Sequence, residues 1–294
     1  PGTPGEAGVA SPGVQFATPP AALDEDLDAD HDDNAPLRFR TVEDVTGAAS
    51  PPGYAVRVLY SEQLFAVSAE EPGSLAHAGQ DPCWRRAMEE ELRAIEDNHT
   101  WTLTELPSGQ RAIGLKWVFK VKKDEHGAVV RHKARLVAKG YAQRQGIDYD
   151  EVFAPVARLE AVRLLLALAA QEGWQVHHMD VKTAFLNGDL QEEVYVQQAP
   201  GFAQPGQEHK VYRLHKALYG LHQAPRAWNK KLDEQLGVLG FVRCPSEAAI
   251  YCRGRGAERL VVGVYVDDLV ITGTSSSSIR KFKTEMTKIF KMSD

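Results

Sequence analysis

The sequence predicts an α+β chain whose antiparallel sheet brings three carboxylates together, and three observations lead there. The first is Leu260 to Gly273, LVVGVYVDDLVITG: two apolar, β-branched runs flank an acidic pair, which reads as a hairpin with Asp267 and Asp268 at its tip. The second is Val176 to Leu190, VHHMDVKTAFLNGDL, where period-two alternation puts Val176, His178 and Asp180 on one strand face and His177, Met179 and Val181 on the other. The third is a set of helical patterns set between these strands. Asp180 thus ends a strand, and the hairpin tip can come beside it. Three such acids bind a pair of hard divalent cations through oxygen, which suits Mg²⁺ and in-line displacement at phosphorus. The alternative is a plain solvated turn, for Asp is a common turn residue.

Composition narrows the class. With 43% apolar residues over 294 positions the chain can bury a sizeable core, in one or two domains. There is no apolar run long enough to span a bilayer and no basic-then-apolar leader, so no membrane partner is expected. Cys83, Cys244 and Cys252 are too scattered for a metal-ligand pattern, and reduced thiols in a cytoplasmic or nuclear setting are expected. The net charge of −6 conceals a division. Residues 1–40 hold eight acids against two arginines, whereas residues 111–145 carry ten Lys or Arg against Asp124 and Glu125. A basic cluster of that kind fits a phosphate backbone, an ordinary solvated face being the alternative.

Residues 1–50, rich in Pro, Gly, Ala and Asp without apolar periodicity, cannot offset their ordering entropy and are expected to be disordered; 51–80 read as an irregular lead-in. A helix begins near Asp81 with Pro82 in its first turn and an apolar stripe of Trp84, Met88, Leu92 and Ile95 under the charged run Glu89 to Glu91. Trp101, Leu103 and Leu106 form a short strand closed by Pro107 and Gly109. Leu115–Lys123 and Ala128–Lys139 are two strands around a polar turn, bearing Lys116, Lys120, Lys122, Lys133 and Arg135. Arg158 to Gly173 is apolar nearly all round, which predicts a buried helix that ends at Gly173. His177 and His178, as strand neighbours, point apart and cannot readily share one ion; Lys182 reads as a surface lysine. Phe185 follows five positions after Asp180. Gly220 makes a turn before a helix with Pro225 in its first turn, running to about Gly240. A last helix from Ser276 places Ile279, Phe282, Met286 and Ile289 on one face.

YVDD at Tyr265 to Asp268, with Asp180 and Phe185 upstream, resembles the palm of a reverse transcriptase. DVKTAFLNGDL, LYGLHQAPRAW and RHKARLVAKGYAQ resemble the copia-type retrotransposon branch in particular, in family order from about Asp81 onward. The resemblance implies a right-hand polymerase fold with fingers over 81–157 and a palm over 158–294, finger insertions near 186–217, and no thumb before the sequence stops at Asp294. It implies template-directed addition of a deoxynucleotide to a primer 3′-hydroxyl on an RNA or DNA template. Asp180, Asp267 and Asp268 would be catalytic and, with Val181, would surround two Mg²⁺ ions, Mn²⁺ being the alternative. Lys123 and Arg135 would contact the triphosphate, although Arg131 or Lys133 could take the role given to Arg135. Phe185 would lie under the sugar and exclude a 2′-hydroxyl, a plain core aromatic being the alternative. Tyr219, Gly220 and Gln223 would border template base and nucleotide. The absence of an initial Met suggests an excised piece of a polyprotein. Integrase and ribonuclease H regions are the implied neighbours, in a cytoplasmic virus-like particle or the nucleus. Rival expectations are an inactive remnant that still binds nucleic acid, and a two-metal nuclease, which would need neither the basic hairpin nor Phe185.

Overall fold

The computed structural model describes residues 71–293. The expected disordered tail and the lead-in up to residue 70 lie outside the described residues. The described part of the lead-in is not irregular throughout. Ser74 accepts a hydrogen bond from the His77 N–H, and this N-cap starts a short helix, α1 (Leu75–Gln80). Asp81 then caps α2 (Pro82–Asp97) through the Cys83 N–H at 2.7 Å, with Pro82 in the first turn, as expected.

Three antiparallel sheets follow. Strand β1 (Trp101–Thr104) pairs with β6 (Val211–Lys216), which pairs with β5 (Asp189–Val196). Strands β2 (Leu115–Lys123) and β3 (Val129–Ala138) form a two-stranded hairpin around residues 124–128. The largest sheet contains β4 (Val176–Val181), β7 (Val242–Cys244), β8 (Glu247–Arg253), β9 (Leu260–Tyr265), β10 (Asp268–Gly273) and β11 (Met292–Ser293), in the order β11-β4-β10-β9-β8-β7. Helices α3 (Leu159–Glu172), α4 (Ala224–Val238) and α5 (Ser276–Ile289) complete the chain. The α+β prediction holds in this coarse sense: mixed elements with antiparallel sheets.

Alternation along the strands decides the core. Met179, Val181, Val262, Val264, Leu269 and Ile271 project to one sheet face and bury against Trp228, Leu232 and Leu236 of α4 and Ile279, Phe282 and Met286 of α5. Each such side chain contributes about 1.5–3 kcal/mol when removed from water. A second core joins Ile95, Leu136, Leu186, Val194, Leu214 and Leu218, tying α2, the hairpin and the three-stranded sheet together.

Helix α3 corrects one expectation. It ends at Gly173, whose φ of +67° is the left-handed stop anticipated for glycine. Yet only Leu165 and Ala169 are buried, while Leu159 and Leu164 are 58% and 71% exposed. Among the described residues α3 packs on the sheet face opposite α4 and α5, where Gly263 lacks a side chain and Leu165 lies 3.2 Å from where its Cβ would stand, and its other faces stay exposed.

A second correction concerns Glu91. Its place in a charged run suggests solvent, but it is buried between α2 and β3, where it accepts the Leu136 N–H at 3.3 Å. Burial pushes its carboxyl above the usual value, against the opposing pull of that N–H and of Arg135 and Lys133. The folded state therefore holds this proton more tightly than the unfolded chain. Its contribution is most favourable at acid pH and is lost as pH rises from the ordinary glutamate value through the raised one. Glu91→Gln keeps the size and an acceptor without the charge, so its stability relative to the parent should rise between about pH 5 and about pH 8. Urea unfolding at both values checks this, and a difference that does not change with pH would contradict it.

Candidate active site

The candidate acids are set by sheet register. Strand β10 pairs with β4 so that Asp268 stands opposite Asp180, and directly opposed residues project to the same face. The Val181 N–H donates to the Asp267 carbonyl oxygen at 2.9 Å, which ties the adjoining turn to the end of β4. The turn is narrower than the sequence suggested. Val266 and Asp267 form it, and Asp268 already belongs to β10.

That turn is held against its own preference. Val266 has φ +56°, a left-handed conformation in which a β-branched residue is crowded, at a cost of order 1–3 kcal/mol. Trp228 of α4 supplies a counterweight: its indole Nε1 donates to the Val266 carbonyl oxygen at 2.7 Å, while the ring is buried in the core. The sequence signals this tryptophan only as the end of LYGLHQAPRAW, and nothing local links it to a turn 38 residues on.

The electrostatics shows Asp267 acted on by the other two acids. The Asp267 carboxyl is pushed up, first by burial and further by Asp268 and Asp180, with Arg135 opposing. Burial would raise Asp180 too, but hydrogen bonds from Lys182 and Ser293 and the charges of Lys182 and Lys133 bring it below the usual value. Lys182 Nζ donates to Asp180 Oδ2, and Ser293 Oγ donates to the same oxygen at 3.3 Å. His178 Nε2 lies 2.7 Å from Asp268 Oδ1. Basic groups thus occupy two of the three carboxylates. Among the described residues no three His, Cys, Asp or Glu side chains are gathered closely enough to hold an ion. Sequence reasoning had set Lys182 and His178 aside as surface and packing residues; the strand parity of His178 with Asp180 and the closeness of Lys182 in sequence were the available signals. Val181 is buried, so its main chain is the part that faces the acids.

The other candidate residues separate into two groups. Phe185 sits on a 3-10 turn, Ala184–Asn187, with its ring centroid 4.9 Å from that of Tyr219. The Arg135 guanidinium lies over the Tyr219 ring at 4.6 Å. Burial pushes the Tyr219 hydroxyl up to about 12, and Asp267 and Asp180 add to the rise while Arg135 opposes it. Arg135, Tyr219 and Phe185 are therefore in a continuous series of contacts, with Arg135 and Tyr219 within electrostatic reach of Asp267.

Gly220, Gln223 and Lys123 behave differently. Gly220 has φ +88°, and a Cβ there would stand 2.2 Å from the Ala138 carbonyl oxygen, so the backbone it lets approach is that of β3. Gln223 is buried; it accepts from Gln143 Nε2 at 2.9 Å and donates to the Asp148 carbonyl oxygen at 2.8 Å, bracing residues 143–148. Lys123 pairs with Val129 near the hairpin turn, whereas Arg135 stands opposite Val118. Those positions are five residues apart, ~17 Å along the strand. Lys133, the alternative named for Arg135, is among the charges acting on Asp180.

These features, a sheet-borne acidic group beside a cationic hairpin, are those of a nucleotidyl-transferring polymerase domain, and comparison with known proteins agrees. Residues 98–294 match the family described as reverse transcriptase (RNA-dependent DNA polymerase), and the chain belongs to that family. It is 44% identical over 239 residues, 80% of its length, to the retrovirus-related Pol polyprotein from transposon TNT 1-94 of Nicotiana tabacum. It is 39% identical over 236 residues, again 80% of its length, to that from transposon RE1 of Arabidopsis thaliana. It covers 18% and 16% of those polyproteins, so it spans less than a fifth of the relatives it matches. The copia-type resemblance read from the motifs is thereby established.

If the Trp228 hydrogen bond holds the Val266 turn, Trp228→Phe should cost about 1–3 kcal/mol, the usual penalty for leaving a buried carbonyl unpaired. Urea unfolding checks it, with an unchanged m value expected. A loss of only a few tenths would show that the turn keeps its shape without the indole.

Proposed function

We propose that this chain performs RNA-directed DNA synthesis: it adds deoxynucleotides to a primer 3′-hydroxyl on a nucleic-acid template and releases pyrophosphate. The observation that carries the reading is the register pairing of Asp180 with Asp268, with Asp267 in the adjoining turn. In this reading residues 81–157 act as fingers and 158–294 as palm of a right-hand polymerase, with 186–217 as finger insertions. The donor set is all carboxylate oxygen, with Asp180 and Asp268 opposed across the sheet, which fits hard divalent cations. Asp180, Asp267 and Asp268, with the Val181 main chain, would hold them. Two bound Mg²⁺ ions would supply a lowered pKa for the primer hydroxyl and charge neutralisation at the leaving pyrophosphate.

The chain's own groups do the positioning. Arg135 and Lys133 approach the acids from β3 and offer a guanidinium fork and a point charge to phosphate oxygens, with Lys123 nearer the hairpin turn. Phe185, backed by Tyr219, presents an aromatic edge where the nucleotide sugar would rest. Tyr219 and Gly220 border that pocket, and Gln223 fixes the loop beside it. Template and primer would lie along the cationic face of the hairpin, and the integrase and ribonuclease H regions of a Pol polyprotein are the proposed covalent neighbours. A cytoplasmic particle or the nucleus is the setting this reading requires.

Incubating the chain with a primed template, labelled deoxynucleotides and Mg²⁺ tests the proposal. Extension is expected, and Asp180→Asn, Asp267→Asn or Asp268→Asn should each reduce it by about 10³-fold or more, since several kcal/mol of transition-state stabilisation would go. Degradation of the template would favour a nuclease, and retention without change an inactive nucleic-acid-binding remnant.

Sugar selection follows from the same pocket. Phe185→Ala should admit ribonucleotides more readily while leaving divalent-cation binding as it was. Side-by-side incorporation of matched ribo- and deoxynucleotides reads the ratio, and no change in it would return Phe185 to a role in the core.

A further inference from the structure

We propose that Lys182 is a built-in counter-ion of the metal site: in the metal-free protein its ammonium group occupies Asp180, and a divalent cation must displace it to bind. The inference rests on the reading of Asp180 as a metal ligand, and it goes beyond that reading by making a lysine the competitor that sets cation affinity.

Backbone geometry brings the two groups together. Lys182 follows Asp180 by two positions and is the first residue past the end of β4, close enough for its ammonium group to reach back to that carboxylate. The Lys182 N–H is anchored to the Lys291 carbonyl oxygen at 2.8 Å, and the chain then reverses through Thr183, whose φ of +50° is left-handed. The Lys182 side chain is 52% exposed, and its Nζ donates to Asp180 Oδ2. Nothing in its burial requires that position. The attraction to Asp180 does.

The rest of the site matches. His178 closes Asp268 in the same manner at 2.7 Å, so each member of the cross-strand acid pair faces a basic group. Lys133 of β3 acts electrostatically on Asp180 and on Lys182 alike, and its charge repels the Lys182 ammonium group. A triphosphate between them would relieve the repulsion, so entry of a nucleotide would draw Lys182 off the carboxylate as the cation arrives. Substrate and metal would then bind cooperatively without any change of fold.

Manganese binding to the 294-residue chain, followed by electron paramagnetic resonance without nucleotide, tests this directly. Because the ion pair is half-exposed and screened, Lys182→Met should tighten Mn²⁺ binding roughly two- to fivefold. Lys182→Arg, which keeps the charge, should bind as the parent does. Asp180→Asn should weaken binding. If Asp180→Asn weakens binding but Lys182→Met binds no more tightly than the parent, the counter-ion role is overturned and Lys182 is a surface lysine. Equal tightening in Lys182→Arg would overturn it as well, since charge would not be the cause. Unchanged binding in Asp180→Asn would instead refute the metal-ligand reading on which the inference stands.

Discussion

The pairing of β4 with β10 is the interaction on which the rest of this protein depends. Opposite Asp180 it places Asp268, and on the reverse face the same register sends Met179, Leu269 and Ile271 into the core. A slip of one residue would exchange those faces, exposing the apolar set and burying the acids, so packing against Phe282 and Met286 enforces the placement of the acids in front. The core behind the sheet is thus a positioning device. Trp228 belongs to both sides: its ring fills that core, and its Nε1 grips the carbonyl of a turn that valine would not adopt unaided.

Charge is organised with similar economy in the hairpin. One face of β2 and β3, with Leu115, Trp117, Phe119, Ala134 and Leu136, packs on α2 and the second core. On the other, Lys120 stands opposite Lys133 and Lys122 opposite Arg131. Like charges directly opposed across a sheet are destabilising, and a face built that way gains most from a polyanion. Glu71 and Glu90 relieve part of the load through Lys120 and Arg131 at 2.9 and 3.0 Å. Arg135 carries the cationic face to its end, where it meets Tyr219 and through it Phe185. The hairpin and the proposed sugar pocket are consequently joined by direct contacts.

The glycines and the buried glutamine show why some roles attributed to substrate contact belong partly to architecture. Gly220 gives way to the Ala138 carbonyl oxygen, and the Ala138 N–H donates to the Tyr219 carbonyl oxygen at 2.7 Å, which locks the LYGLHQ segment onto β3. Gln223 then clasps residues 143–148. Both are candidate pocket residues, and both act first by bringing the hairpin and the start of α4 into contact.

Local sequence by itself determined the elements and the acids. Period-two alternation located β4 and the β9–β10 hairpin, Asp81 and Pro82 marked the start of α2, Gly173 the end of α3, and the YVDD and DVKTAF motifs identified the family. These features are legible because capping, strand parity and left-handed glycine are decided by a residue and its immediate neighbours. What only the tertiary structure decided involves partners distant in sequence. The burial of Glu91 depends on β3 lying across α2. The exposure of Leu159 and Leu164 depends on which face of α3 meets the sheet, among the described residues. The separation of Lys123 from Arg135 depends on strand register, and the pairing of His178 with Asp268 on a strand 90 residues away. Lys182 stands between the two kinds. Its contact with Asp180 two residues back is local, while the hydrogen bond from its N–H to the Lys291 carbonyl oxygen beside β11 is made only by the tertiary fold.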